Sequence, residues 1–446
     1  MTAKHTLAQL QSGQLAGCRE LRLSCGLREF PRAILELADT LEVLDLSGNQ
    51  LSVLPPDLPR LHRLRVLFAS NNLFTELPEV LGQCPALSMI GFKANRIRRV
   101  AGGALPPGLR WLILTDNEVE ALPPEIGHCQ PLQKLMLAGN RLQTLPAELA
   151  RCQQLELLRI SANPLAALPA WLAHMPRLSW LAFGGTPDCL PKEAQARLTA
   201  PIAHWPWARL RLGPVLGQGA SGVIHQAERT GAHSAPHVAV KIFKGEVTSD
   251  GLPASEMAAA IQTGLHPHLI PTWAKITDHP QGAQGLVMPL IDPVFVNLAG
   301  PPSLASCTRD VYPLGQHFDL PTVLRMARGI ASAAAHLHAR GLMHGDLYAH
   351  NILHDGQGQA LLGDLGAASF LPTHDSAQAA ALQQLEVRAF GCLLEELLER
   401  CDATPQEQAG LNALMDLQAQ CLQSTPHTRP LFADMEGMLS NCEVAA

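Results

Sequence analysis

The chain has 446 residues, 47% of them hydrophobic, so it is long enough for two or three domains with sizeable cores. Its formal net charge of −6 argues against the basic surface that nucleic-acid binding requires. The most apolar stretch, residues 323–342, contains three arginines and two histidines, and this excludes a membrane span there.

The N-terminal stretch MTAKHTLAQLQSGQLAG has no apolar core, so neither a signal peptide nor a transit peptide is expected. A pattern of 22 or 23 residues then repeats, with copies that begin at Leu41, Leu64, Leu87, Leu109, Leu132, Leu155 and, in divergent form, Leu178. An irregular earlier copy begins at Cys18. The copies follow L-x-x-L-x-L-x-x-N, as in LEVLDLSGN, with asparagine at positions 49, 72, 95, 117, 140 and 163.

This pattern predicts a short parallel strand in each copy. Leu44 and Leu46 point inward from it, and the asparagine bonds backbone groups where the chain turns out of the strand. The copies resemble the leucine-rich repeat family over about residues 18–190. The resemblance implies an α/β solenoid whose repeats stack because one repeat cannot bury its own face. We assign this domain to residues 1–190.

The strand positions between the inward leucines form two columns on the predicted concave face. They are Val43, Val66, Met89, Trp111, Lys134, Leu157 and Trp180, and Asp45, Phe68, Gly91, Ile113, Met136, Arg159 and Ala182. Much of this surface is apolar, so we expect it to bind a protein partner or substrate through Trp111 and Trp180. The alternative is packing against another part of the same chain.

Eleven cysteines occur without a CxxC pair, and this favours a reducing, cytoplasmic setting. Cys84, Cys129 and Cys152 each lie three residues before the first leucine of a repeat. We interpret them as small buried side chains rather than as a thiol or metal column. The 7 lysines against 26 arginines favour a GC-rich bacterial genome.

Prolines interrupt the period after residue 190, so residues 191–206 are predicted to be a linker. The sequence VLGQGASGVIHQA follows, in which Gly217, Gly219 and Gly222 form G-x-G-x-x-G and Ile224 lies two residues beyond. Alone, this pattern fits a plain β-hairpin better than a phosphate-binding loop. The strand HVAVKIF comes next, however. Its Lys241 needs a counter-charge inside a strand, and Glu256 in the predicted helix ASEMAAAIQTGL is the natural partner.

The later sequence contains HGDLYAHNIL after a long helical segment, and then LLGDLGAASF. With the glycine hairpin and V-A-V-K, these motifs resemble the protein-kinase family over about residues 207–440. The resemblance implies an α+β bilobal fold for residues 207–446. The predicted architecture is therefore an α/β leucine-rich-repeat solenoid followed by a kinase-like domain. LEVRAFGCLLEELL, with Glu386, and STPHTRPLF, with Arg429, look like two further family segments.

The resemblance implies ATP and Mg²⁺ as cofactors and gives each motif residue a role. Lys241 would hold the ATP phosphates and Glu256 would hold Lys241, while Asp346 would accept the proton of a substrate hydroxyl. Asn351 and Asp364 would bind Mg²⁺. The predicted ATP-binding residues are Gly217, Gly219, Gly222, Ile224, Ala239, Lys241, Met288 and Ile291. Here Met288 is the gatekeeper, and Ile291 supplies the backbone N–H that Pro289 lacks.

Several positions depart from the family pattern. Gly345 replaces the arginine that pairs with a phosphorylated activation loop, D-L-G replaces D-F-G, Tyr348 replaces lysine or alanine, and no A-P-E occurs. These changes spare the ATP and metal residues but affect the platform on which a peptide substrate docks. The sequence therefore predicts a protein serine/threonine kinase with a repeat domain for protein binding. The alternatives are a nucleotide-binding pseudokinase scaffold and a kinase for small molecules.

Overall fold

The computed structural model describes residues 5–199, 201–219, 221–231, 237–245 and 247–445. The chain divides into two compact units, Met1–Arg177 and Leu178–Ala446. The division lies 13 residues before the predicted end of the repeat domain at 190 (190 − 177). Among the described residues, no helix combines the length and apolar character that crossing a bilayer requires.

The first unit is a solenoid of short parallel strands that pair in chain order. A short helix, α1 (Leu7–Gln11), precedes seven strands: β1 (Glu20–Arg22), β2 (Val43–Asp45), β3 (Val66–Phe68), β4 (Met89–Gly91), β5 (Trp111–Ile113), β6 (Lys134–Met136) and β7 (Leu157–Arg159). The return segments contain 3₁₀ helices at Arg32–Leu37, Leu58–Arg60, Glu79–Gln83, Gly102–Ala104, Pro124–His128, Ala147–Arg151 and Ala170–His174. The irregular copy at Cys18 thus contributes the first strand.

The central residue of each strand, leucine or, in β4, Ile90, lies opposite its equivalent in the next strand. Leu44 pairs in register with Leu67, and Leu112 with Leu135, and all four side chains are fully buried. Each such burial contributes about 1.5–3 kcal/mol, so the stacked column forms one continuous core. The predicted inward leucines are therefore confirmed.

The repeat asparagines satisfy backbone groups in the preceding repeat, as the sequence predicts. Asn72 accepts the N–H of Leu51 at 2.9 Å and donates to the carbonyl of Leu46 at 2.9 Å. Asn140 makes the same contacts with the N–H of Val119 at 2.9 Å and the carbonyl of Leu114 at 2.8 Å. Buried backbone groups are costly to leave unpaired, so these side chains stabilise each turn out of a strand.

The second unit begins with β8 (Trp180–Ala182), α2 (Leu190–Thr199) and β9 (Ala203–Pro206). The prediction of a linker at 191–206 is therefore wrong, because residues 191–199 lie in a helix and Ala203–Pro206 form a strand. The prolines that suggested a linker lie at tolerated places, because Pro191 is in the first turn of α2 and Pro206 is the last residue of an edge strand.

The next five strands join β9 in a six-stranded sheet, and α3 (Pro253–Thr263) lies beside it. These five strands are β10 (Leu210–Gln218), β11 (Gly222–Arg229), β12 (His237–Phe243), β13 (Ala274–Thr277) and β14 (Gly285–Pro289). The sheet order is β10-β11-β12-β14-β13-β9, and only β9 and β13 pair in parallel. Along β12, Val238 and Val240 enter one apolar cluster, so the alternate residues Ala239 and Lys241 face the other way.

The remainder of the unit is mainly helical: α4 (Leu320–Ala339), α5 (Ser376–Leu398), α6 (Gln408–Cys421) and α7 (Phe432–Ala445). Short strands lie between and around these helices: β15 (Val296–Asn297), β16 (Phe318–Asp319), β17 (Leu342–Met343), β18 (Ile352–His354), β19 (Ala360–Leu362), β20 (Ser369–Phe370) and β21 (Cys401–Asp402). Gly341, at φ +73°, follows α4 and turns the chain into β17. The unit thus has the mixed sheet and helices of a kinase domain, as predicted.

Candidate active site

The glycine-rich sequence forms the turn between β10 and β11. The N–H of Gly219 donates to the carbonyl of Gly222 at 3.0 Å, which closes the hairpin. A Cβ atom at Gly222 would lie 2.5 Å from the carbonyl oxygen of Ile242, so a larger residue would displace the neighbouring strand. Gly217 pairs with Ile224 across the hairpin. The predicted glycines therefore lie together at one turn.

Lys241 and Glu256 form a buried ion pair between β12 and α3. The Lys241 Nζ contacts Glu256 Oε1, and the two side chains are 13% and 6% exposed. Burial raises the pKa of the Glu256 carboxyl, and the positive charge of Lys241 opposes that shift. Met257 and Ile261 on α3 pack against Phe243, and this contact holds the helix against the sheet. The structure thus places Glu256, the predicted counter-charge, beside Lys241.

A cavity of about 840 Å³ opens beside this ion pair. Its walls include five predicted ATP-binding residues, Ile224, Ala239, Lys241, Met288 and Ile291, together with Glu256 and Asp364. Sites for small molecules have this size and are lined mainly by apolar side chains, with a few polar groups that fix the orientation of the ligand. The cavity therefore suits a ligand with a flat apolar part and a charged part.

Leu216 and Leu353 also line the cavity but are absent from the sequence prediction. Leu216 directly precedes the first glycine of the hairpin, and Leu353 follows Asn351 by two residues on β18. Side chains alternate along a strand, so two neighbouring residues of β18 face opposite sides. Ile352 is fully buried, and Leu353 on the other side is only partly buried. This alternation is the sequence signal that could have indicated Leu353.

A second, smaller cavity of about 120 Å³ lies at the glycine turn. Gly219 and Gly222 line it with Ser221, Lys241 and Asp364. Lys241 and Asp364 also line the large cavity, so a ligand could place its charged end among backbone N–H groups, one ammonium and one carboxylate.

The sequence HGDLYAHN forms the loop between β17 and β18. His344 is fully buried; its Nδ1 accepts the N–H of Asp346 at 3.2 Å, and its Nε2 donates to the carbonyl of Gly363 at 2.9 Å. Asn351 donates from Nδ2 to Asp346 Oδ2 at 2.8 Å, and its carbonyl accepts the N–H of Gly363 at 2.9 Å. His344 thus orders the loop, and the contacts to Gly363 join the loop to the residue before Asp364.

Glu386 on α5 anchors this loop from beneath. Its carboxylate accepts the N–H of His344 at 3.1 Å, the N–H of Gly345 at 2.5 Å and His338 Nε2 at 2.8 Å. Burial alone would raise the pKa of Glu386, but the contacts with His338, His344 and Gly345 outweigh it, so the pKa lies below its ordinary value. Glutamate therefore fills the place where the kinase resemblance implies aspartate.

Asp364 has a left-handed backbone with φ +51°, and its Oδ1 accepts the N–H of Gly366 at 3.1 Å. Leu365 packs with Phe243, Met257 and Leu286 and also lines the large cavity. Leucine in D-L-G therefore supplies the apolar contact to α3 and the sheet, and the carboxylate of Asp364 remains at the two cavities. Gly217, Asp346 and Asn351 lie outside both cavity linings.

The structure also explains two departures from the family pattern. Gly345 has φ +74°, and a Cβ atom there would lie 2.6 Å from the carbonyl oxygens of both Ala367 and Leu181, so arginine does not fit. Arg429 is buried and donates to the carbonyls of Gln423 at 2.9 Å and Gln384 at 3.1 Å. The resemblance implies a glutamate of A-P-E as the partner of this arginine, and the sequence has no such glutamate. Backbone carbonyls bind the guanidinium instead.

Trp180, which the sequence analysis assigns to the concave face, is buried, and so is Ser369. Trp180 is only 1% exposed, so its assignment to an exposed binding face is wrong, and the alternative of packing within the chain holds for this residue. Its ring stacks on Tyr348, in the loop that contains Asp346. Ser369 is fully buried as well, and its hydroxyl accepts the N–H of Phe183 at 2.9 Å. Trp111 is half-buried, with the Lys134 ammonium 4.4 Å from its ring centre.

All eleven cysteines are free thiols. Cys84, Cys129 and Cys152 are buried, and burial raises their pKa values to about 11, 11 and 12. Neutral thiols at this depth are small apolar side chains, as predicted. Within the described part of the chain, no three His, Cys, Asp or Glu side chains gather as a metal site.

Known families match both units. The family described as protein tyrosine and serine/threonine kinase matches residues 210–390. Leucine-rich repeat families match residues 40–61 and 107–165.

Individual relatives match shorter parts. CBL-interacting protein kinase 22 from Oryza sativa subsp. japonica is 32% identical over 176 residues, covering 36% of this chain and 37% of that protein. PH domain leucine-rich repeat-containing protein phosphatase 1 from Homo sapiens is 33% identical over 92 residues, covering 20% of this chain and 5% of that protein. Leucine-rich repeat and calponin homology domain-containing protein 1 from Mus musculus is 30% identical over 112 residues, covering 24% of this chain and 16% of that protein. The chain thus spans well under half the length of each. Fold, site geometry and family matches agree that this chain combines leucine-rich repeats with a protein-kinase domain.

Proposed function

We propose that this chain is an ATP-dependent protein kinase that transfers the γ-phosphate of ATP to a serine or threonine hydroxyl. The observation that carries the proposal is the convergence of the Lys241–Glu256 pair and Asp364 on one cavity. The contacts from the loop of Asp346 and Asn351 to Gly363 join that loop to the cavity wall. A scaffold that only binds partners needs none of these groups, whereas phosphoryl transfer uses all of them.

Each residue of the site has a separate role in the proposed reaction. The apolar walls at Ala239 and Met288 would enclose the adenine, and Lys241 would bind the phosphates while Glu256 fixes its position. The substrate oxygen attacks the γ-phosphorus, the bond to the β-phosphate oxygen breaks and ADP leaves. Asp346 accepts the proton that the hydroxyl loses. Asn351 donates its amide to the Asp346 carboxylate and would fix the orientation of that base.

Asn351 and Asp364 fit a role as Mg²⁺ ligands. The Asn351 amide nitrogen is used toward Asp346, which leaves its Oδ1 as the free donor atom, and Asp364 offers a carboxylate at the small cavity. Mg²⁺ in phosphoryl-transfer sites prefers one or two such oxygens together with substrate phosphates and water. The bound ion would neutralise charge that develops on the phosphate oxygens.

The repeat unit would recruit the partner or substrate, since leucine-rich repeats typically mediate protein interactions. The concave face is the proposed site because Trp111, Phe68 and Lys134 form a half-buried aromatic and cationic cluster there. A cytoplasmic location is proposed from the free thiols. A bacterial origin is proposed from the excess of arginine over lysine.

The test is transfer of radiolabelled phosphate to a library of serine, threonine and tyrosine peptides, followed by phosphoamino-acid analysis. We expect labelled serine or threonine with wild type and a loss of at least about 100-fold with Asp346→Asn. Asp416→Asn, an exposed position on α6, is the matched control and should keep wild-type activity. Labelling of small hydroxyl compounds but no peptide would instead favour the small-molecule alternative. An inactive wild type that still binds ATP would favour the pseudokinase.

A further inference from the structure

Residues 178–199, here called the positioning segment, contact three separate parts of the catalytic apparatus. The segment consists of β8, α2 and the turn between them, and it precedes the region that matches the kinase family. Each of its contacts involves a buried or backbone group.

The first contact is with the catalytic loop. The Trp180 ring stacks on Tyr348 with ring centres 4.1 Å apart and planes 8° from parallel. Its indole Nε1 donates to the carbonyl of Leu347 at 3.0 Å. Leu347 and Tyr348 directly follow Asp346, so Trp180 fixes the backbone that carries the proposed base.

The second contact is with the chain after Asp364. The N–H of Phe183 donates to the buried Ser369 hydroxyl at 2.9 Å, and Lys192 Nζ donates to the carbonyl of Leu371 at 3.1 Å. The Leu181 carbonyl packs on Gly345, at the position where kinases carry an arginine. A larger side chain at position 345 would therefore meet the backbone of this segment.

The third contact is with α3. Glu193 is 1% exposed; its Oε1 accepts the N–H of Gly185 at 2.7 Å, and its Oε2 accepts the Ser255 hydroxyl at 2.8 Å. Ser255 precedes Glu256, the partner of Lys241. Glu193 therefore joins the positioning segment to the helix that sets the ion pair in the cavity.

We propose that the positioning segment holds the catalytic loop, the chain after Asp364 and α3 in their active arrangement, with Trp180 and Glu193 as positioning residues. The proposal rests on the proposed kinase function and extends it, because it states how the site is ordered without an arginine at position 345. Neither residue reaches ATP or the acceptor hydroxyl in this account; each acts through Leu347, Tyr348 or Ser255. The functional kinase unit then begins near residue 178 rather than at 207.

The test compares full-length Trp180→Ala, Trp180→Phe and Trp207→Phe with wild type. Trp207 packs on His279 and the outer strands, away from the catalytic loop, so it is the matched control. Misplacement of a catalytic group lowers the rate of the chemical step, so Trp180→Ala should lower kcat by at least about tenfold while the KM for ATP stays within about twofold. Trp180→Phe keeps an aromatic ring and should recover part of the loss, and the control should match wild type.

Ser255→Ala removes only the hydroxyl that Glu193 binds, so it is a milder variant should Trp180→Ala fail to fold. We expect it to lower kcat severalfold, again with little change in the KM for ATP. Wild-type kcat in both Ser255→Ala and Trp180→Phe would overturn the proposal.

Amide hydrogen exchange of peptides covering residues 341–355 and 366–372, without nucleotide, provides a readout that does not depend on catalysis. Trp180→Ala should raise exchange in both peptides by at least about tenfold relative to Trp207→Phe. If wild type transfers no phosphate but Trp180→Ala still exchanges faster than Trp207→Phe, the proposed function is wrong and the positioning role stands. Unchanged exchange in Trp180→Ala would overturn that role even if wild type is an active kinase.

Discussion

Replacement of Glu386 by alanine should destabilise the kinase domain and disorder its catalytic loop. The substitution leaves the buried N–H groups of His344 and Gly345 without their carboxylate acceptor. Each unsatisfied buried donor costs about 1–3 kcal/mol, so the two together should cost about 2–6 kcal/mol. For a domain of this size, each 1 kcal/mol lowers Tm by about 2–4 °C, so a fall of at least about 4 °C is expected.

The assay is thermal unfolding by calorimetry, with Glu386→Gln as the matched variant. Glutamine keeps one acceptor oxygen, so its Tm should lie between those of wild type and Glu386→Ala. The transfer rate should fall further than the loss of folded protein explains, because the loop that carries Asp346 loses its anchor. A Tm within 1 °C of wild type for Glu386→Ala would refute the reasoning, because it would mean that these N–H groups find other acceptors at no cost.

The same carboxylate gives a pH dependence with a defined sign. Because the folded pKa of Glu386 lies below its unfolded value of about 4.3, the folded state binds fewer protons than the unfolded state in this range. The stability that Glu386 contributes is thus present above about pH 4.3 and is lost as the pH falls toward its folded pKa. Acidification from pH 5 to 3 should therefore lower the Tm of wild type more than that of Glu386→Gln. Equal losses in the two proteins would contradict this role of the charge.

Further variants test the other groups. Lys241→Met should abolish phosphate transfer with a fold that circular dichroism shows to be intact, because methionine keeps the apolar stem and loses the charge; near wild-type transfer would exclude the role. Asp364→Ala should weaken calorimetric binding of Mg-ATP at least about tenfold and leave binding of metal-free ATP less affected; equal affinity for Mg-ATP would show that this aspartate is no ligand. Joint replacement of the exposed Thr373 and Ser376 by alanine should leave the transfer rate of phosphatase-treated protein unchanged, whereas a tenfold fall, about 1.4 kcal/mol of barrier, would show that a loop phosphate is needed. Trp111→Glu should weaken capture of a partner by the repeat unit and leave peptide turnover within about twofold; a large change in turnover would argue against a purely recruiting role.

The repeats could be predicted from the sequence because their signal is local and recurs many times. Leucines such as Leu44 and asparagines such as Asn72 occupy the same structural slot in every copy, so one correct interpretation extends along the solenoid. The kinase motifs were recognisable for a different reason. Phosphoryl transfer needs particular charged residues, and the motifs imply an ammonium and a carboxylate at the site. Lys241 and Asp364 bring these two groups to one cavity.

The sequence misled where a residue that fits the repeat pattern packs elsewhere. Trp180 occupies an outward position of the divergent last repeat, yet it stacks on Tyr348, which is 168 residues later (348 − 180). No periodicity encodes a contact of that separation. Likewise, Pro191 and Pro206 resemble linker residues, although each lies at a helix or strand position that tolerates proline. Glycine at position 345 looks like a loss in the sequence, but the structure shows that its left-handed backbone requires it.

Transfer of phosphate at this site can be measured in a single turnover. Protein in excess over Mg-ATP binds all of the nucleotide, an acceptor is added, and the first-order rate of ADP formation is compared between wild type and Asp346→Asn. Because all of the nucleotide is bound in both proteins, a difference in affinity does not affect the rate, which reports the chemical step. We expect a rate for Asp346→Asn at least about 100-fold below wild type, with Mg-ATP affinity within about threefold. Equal rates for the two proteins, with Mg-ATP bound to both, would contradict it.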